Sequence, residues 1–165
     1  MASTISGIGF RPVRGNWEKV MLPTASAATF QTWAPLDFDG TRMLIEATSA
    51  STQILGVAMS YSTASTPSQI SVNGPNWNCV LVAIPMDSSA VARTSILSTV
   101  VASALSIGQV YNIDKLYNNL GLNVTSQASA KVQIRGNFDS ATSQVDVQIL
   151  GNVVLLPSYA SVTNP

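Results

Sequence analysis

A chain of 165 residues has room for one domain with one sizeable core. Hydrophobic residues make up 46% and charged residues 10%, with Lys+Arg and Asp+Glu equal at 8 each. That balance argues against a disordered chain and against a nucleic-acid surface, which needs clustered Lys and Arg. Histidine is absent and Cys79 is the single cysteine, so an intrachain disulfide, a thiolate zinc site and the His-based triads are excluded.

In chain order, residues 1–16 read as an extended, flexible arm. Small and polar residues dominate, and Pro12 removes a backbone donor. The arm nevertheless carries Ile5, Ile8, Phe10 and Val13, with Arg11 and Arg14. Two readings stay open: a terminus tucked on its own domain, or an arm that orders on a partner by strand addition. Residues 17–156 form the expected β-domain, and 157–165 a tail. A strand is predicted over Trp17–Leu22, ended by Pro23, and a short one over Phe30–Leu36, with Trp33 in the core.

The stretch Phe38–Thr63 holds two apolar runs, Met43–Ile45 and Ile54–Met59, around a small polar turn. It predicts a β-hairpin or short β-arch. Gly56, inside the second run, predicts a bulge or a close backbone approach. Residues 62–76 read as loop. Trp77–Pro85 is rich in β-branched residues and predicts a buried strand with Cys79 as a small apolar group.

Residues 91–107 are ambiguous between one short helix and a mixed strand. Their apolar positions recur at three and four, while Thr94, Thr99, Val100 and Val101 oppose a helix. Short strands follow at Val110–Asp114, near Leu122–Val124, and over 130–136, where Val132 and Ile134 alternate with Lys131, Gln133 and Arg135. The last strand region, Val145–Leu156, alternates most clearly, and the seven-residue turn before it predicts an antiparallel pair. Short strands with turns about every ten residues give the fold class: all-β, an antiparallel sandwich or barrel.

No phosphate-binding loop, nucleophile elbow or calcium loop occurs. The pair Asp37 and Asp39 reads as a turn. Without a histidine base no serine is visibly activated, so an enzyme is not expected, and no cofactor or metal is. No segment reaches the roughly 18–20 apolar residues of a membrane helix. The N-terminus lacks a secretory pattern, so synthesis in a cytoplasm is expected. Trp17, Trp33 and Trp77 could stack sugars, which keeps a carbohydrate-binding sandwich as an alternative; core positions are the plainer reading.

Two phrases carry a resemblance. The first is Ile45-Glu46-Ala47-Thr48-Ser49 followed by Ile54-Leu55-Gly56-Val57-Ala58. The second is Ala104-Leu105-Ser106-Ile107-Gly108-Gln109-Val110-Tyr111. With the N-terminal arm and low-charge β-domain, they resemble the capsid decoration (cement) proteins of tailed bacteriophages over about residues 30–115. The chain is longer in its C-terminal half than the smallest members. The resemblance implies a non-enzymatic virion protein, made in the host cytoplasm, that binds the outside of the assembled capsid. It implies a homotrimer, with a dimer as alternative, whose arm contacts the major capsid protein through Ile5, Ile8, Phe10, Arg11, Val13 and Arg14, with Trp17 as hinge anchor. No nucleic acid or membrane partner is expected. Another phage structural subunit, of the tail, neck or a jelly-roll head protein, is the main rival.

Overall fold

The computed structural model describes residues 8–25, 28–39, 44–51, 53–61, 79–97, 105–116 and 119–150. Within them the chain is all-β, with no helix. Eleven strands run in order: β1 (Phe10–Arg14), β2 (Trp17–Pro23), β3 (Pro35–Phe38), β4 (Leu44–Glu46), β5 (Gly56–Ala58), β6 (Cys79–Pro85), β7 (Val91–Ser95), β8 (Val110–Leu116), β9 (Asn119–Asn123), β10 (Val132–Asp139) and β11 (Gln144–Ile149). They build a six-stranded sheet, β1-β7-β11-β10-β8-β9, and a five-stranded sheet, β2-β6-β5-β3-β4. Every strand pairing is antiparallel.

Alternation explains the best-formed strands. In β10 and β11, Val132, Ile134, Val145, Val147 and Ile149 turn to one side and are buried, while Gln133 and Gln148 face outward. A period of two puts one set on the core and the other on the surface. The predicted β10–β11 pair is present, although β10 runs on to Asp139. The six-stranded sheet then curls. Ile96, just after β7, bridges Leu122 in β9, and Leu97 N donates to Leu122 O at 3.1 Å. Gly121 makes that approach possible: a Cβ there would lie 2.6 Å from Ser95 O.

Two expectations change and one open alternative is decided over part of its length. The runs in Phe38–Thr63 do not pair with each other. β4 and β5 both pair with β3, which lies between them. The local signal of two runs and a turn could not show that the preceding segment would insert. Next, Val91–Ser95 is a strand between β1 and β11. Its β-branched and small residues are held there by neighbours on both sides, which overrides the helical spacing; residues 98–104 lie outside the described residues. Finally, Phe10–Arg14 is not a flexible arm but the edge strand of the six-stranded sheet, in register with β7. Pro12 is tolerated because an edge strand has a side that needs no ladder donor, and the pairing shifts register between Pro12 and Arg14.

The predicted strand around Trp33 starts later, at Pro35. Trp33 itself takes a positive φ of 70°, an unusual conformation for a bulky residue. Its carbonyl accepts from Phe10 N at 2.7 Å and its N–H donates to Ala58 O at 2.7 Å. One strained residue thus ties β1 of one sheet to β5 of the other. Residues 62–78 and 151–165, which include the expected loop, Trp77 and the tail, lie outside the described residues.

Lys131, read from alternation as outward-facing, is 2% exposed. Its Nζ donates to Ser49 O at 2.8 Å, Asn112 Oδ1 at 3.0 Å and Ser129 O at 3.1 Å. Three acceptors fit the three donors of an ammonium, so the group fastens the turn after β4 to the six-stranded sheet. Burial pushes the amine below its ordinary range, opposed by the charge of Asp37. Lys131→Met is expected to destabilise the domain by about 1–3 kcal/mol at neutral pH, since it strands these acceptors. The unfolded chain binds more protons than the folded one between the lowered pKa and about 10.4. Wild type should therefore gain on the variant as pH rises through that window, read from paired urea midpoints.

Candidate functional site

The surface that draws together four of the chain's five arginines is the outer face of the six-stranded sheet. Phe10, Thr94 and Val145 stand in one cross-strand row and are fully buried, marking the inner face. The next row is Arg11, Arg93 and Asp146, each opposite its neighbour on β1, β7 and β11. Side chains one residue along a strand point to the other face, so this row lies outside.

Asp146 is the centre of the row. Its carboxylate is fully buried and accepts from Arg93 Nε at 2.9 Å and Arg14 Nη1 at 3.2 Å. Both guanidiniums remain partly exposed, 27% for Arg93 and 55% for Arg14. The bond to Asp146 raises the Arg93 pKa further, against a desolvation cost. Asp139, at the end of β10, is held below its ordinary range by the Thr142 side chain and the backbone N–H of Ala141, with a smaller contribution from Arg93. Arg135 sits exposed at the register shift between Ile134 and Gly136, beside Asp146. Asp146→Asn should cost about 1–2 kcal/mol, below the full penalty for breaking a buried pair, because water can reach both arginines. Guanidinium chloride midpoints, with Arg93→Met and the double variant completing the cycle, check the coupling.

Of the residues expected to contact a partner, Ile5 lies outside the described residues. Ile8 is half-buried, and its N–H donates to Ser95 Oγ at 3.3 Å. Phe10 is 0% exposed and belongs to the core, so it is withdrawn as a contact residue. Arg11 and Arg14 are exposed, and Val13 is 37% exposed. Trp17 is half-buried against the core, its Nε1 donating to Arg14 O at 2.9 Å. That bond spans the Gly15 turn where the chain passes from one sheet to the other. Gly15 has φ +87°, and a Cβ on it would overlap Ser89 O.

Sequence reasoning missed Arg93, Asp146 and Arg135 as a group. The available signal was a charged residue inside each of two alternating strands, VARTS and VDVQI, at outward positions. Which strands are neighbours was the missing fact. Among the described residues, no three acid or cysteine side chains converge as a metal site would need, and Cys79 is buried. No helix among the described residues is long and apolar enough to cross a membrane.

The fold and this face define an all-β domain with an arginine-rich sheet surface. No protein-family model matches the sequence, and no curated protein matches it.

Proposed function

We propose that the chain is a non-enzymatic structural subunit that decorates the outside of a tailed-phage capsid, binding the major capsid protein as a homo-oligomer, with a trimer as the first expectation. The observation that carries this reading is β1. Among the described residues it is an edge strand with one strand neighbour, and it displays Arg11, Val13 and Arg14 at the surface. Its outward backbone donors are already used or missing, since Phe10 N donates to Trp33 O and Pro12 has none, so its exposed side chains rather than an added strand make the contact. Two further features agree. The phrases around Ile54–Ala58 and Ala104–Tyr111 resemble those of capsid decoration proteins. The low proportion of charge, 10%, favours close packing against other subunits. Many weak contacts repeated over a shell give firm attachment through avidity.

The test is co-sedimentation of the purified protein with mature heads stripped of decoration subunits. Binding is expected, and Val13→Asp should abolish it while leaving the thermal midpoint within a few degrees. Absence of binding by wild type sinks the reading. Retention by Val13→Asp sinks the assignment to β1. Rings or tubes of the purified protein in electron micrographs would instead place it in the tail or neck.

A further inference from the structure

The outer face of the six-stranded sheet holds more positive charge than its own carboxylates neutralise. Four of the chain's five arginines, Arg11, Arg14, Arg93 and Arg135, stand there with Asp139 and Asp146, an excess of about two positive charges in a chain of zero net charge. Asp146 is engaged by Arg93 and Arg14. No carboxylate of the described residues pairs with Arg11 or Arg135. Arg11 lies directly opposite Arg93, and like charges in that position destabilise a sheet. A fold gains nothing from this arrangement by itself.

The same face carries the most exposed large aliphatic of the described residues. Ile107 is 69% exposed. Its turn is held to the sheet by Gln133 Nε2 donating to Gly108 O at 3.1 Å and by Gly108 N donating to Ile134 O at 2.8 Å. The Ile107 side chain reaches over Gly136, to within 3.5 Å of where a Cβ would stand. Gly136 is opposite Asp146 in register. The face therefore runs from Val13 and Arg11 on β1, through Arg93 and Asp146, to Arg135 and Ile107. Arginine is enriched in protein-contact patches, and Ile107 adds an apolar group beside it.

We infer that this face docks an acidic protein segment, whose carboxylates meet Arg11, Arg93 and Arg135 while an apolar side chain covers Ile107. A protein is favoured over nucleic acid because exposed Ile107 offers an apolar contact that a phosphate backbone cannot use, and Lys and Arg together number only 8 in the chain. Guanidiniums also take carboxylates in paired, directional hydrogen bonds. The inference deepens the capsid reading by naming the chemistry of the contacted surface, but its test needs no capsid.

The probe is a ten-residue peptide of glutamates with one central leucine, titrated at low salt into full-length protein labelled with ¹⁵N-arginine and ¹³C-methyl isoleucine. The expected result is saturable shifts of the Arg11, Arg93 and Arg135 Nε–Hε signals and of the Ile107 methyls. Arg11→Gln with Arg135→Gln should weaken binding at least tenfold without moving the thermal midpoint, since both side chains are exposed. A control peptide with every Glu replaced by Gln should not bind. Equal binding of the control, or absence of shifts at these arginines, overturns the inference. A single-stranded oligonucleotide of equal charge that binds the same arginines more tightly overturns it in favour of nucleic acid. If the peptide binds but heads do not, the capsid reading falls and this one stands.

Discussion

Phe10→Ala should lower the stability of the domain by about 3–5 kcal/mol, the cost of removing a large aromatic side chain from a packed core. Phe10 is fully buried and lies in register with Thr94, which is in register with Val145. Its backbone N–H also reaches Trp33 O at 2.7 Å, so a loosened β1 releases a contact between the two sheets. Urea unfolding should show a lower midpoint with an unchanged slope. Val13→Ala, one face over on the same strand, should stay within about 0.5 kcal/mol, as exposed positions do. A Phe10→Ala protein as stable as wild type would mean that β1 is an appendage. The pairing also decides how binding is to be tested. Deleting residues 1–14 removes a whole strand with Phe10, so lost binding by that truncation would report lost folding. Point changes at Arg11 or Val13 separate the two.

The fold class was legible because it rests on period and spacing. Val132/Ile134 and Val145/Val147/Ile149 alternate over enough residues to fix both the strands and their inner faces. Their pairing followed from a short turn. What local pattern cannot reveal is which distant segment becomes the neighbour. β3 enters between β4 and β5, and β7 between β1 and β11, through contacts far apart in sequence. The spacing over 91–107 left helix and strand undivided for the same reason: apolar positions report burial, and burial between two sheet neighbours suits Val91 and Ala92 as well as a helix would. Gly56 was read correctly as a place of close backbone approach, since only the missing side chain had to be explained. The outer arginine face was invisible for a different reason. Arg11, Arg93 and Asp146 are separated by 82 and 53 positions in the sequence, and only the register makes them a row. Lys131 failed the alternation rule because three oxygens replaced its water.

Gly56→Val is the substitution expected to do most damage. β5 lies between β6 and β3, with Leu36 opposite Gly56 and Ala83 opposite Val57. A Cβ on Gly56 would sit 2.5 Å from Ala83 O and 2.9 Å from Val82 Cγ1. The first contact is with backbone in the adjoining strand, so relief requires opening the β5–β6 ladder rather than turning a side chain. Overpacking usually costs about 1–3 kcal/mol. With a fixed carbonyl as the obstacle and a branched side chain, the expected loss is about 3 kcal/mol or more, a large part of a small domain's stability. Gly56→Ala already introduces the Cβ and should fall between wild type and the valine variant. Gly108→Ala is the contrasting control: a Cβ there meets nothing within 4 Å, although φ is +91°, so only a backbone cost of about 1 kcal/mol is expected. Far-UV circular dichroism and urea midpoints of the three variants give the order. If Gly56→Val holds its midpoint near wild type, β5 does not lie where the pairing puts it. If it unfolds while Val13→Asp folds and fails to bind heads, framework and contact surface are separated: β5 holds the body together and β1 meets the partner.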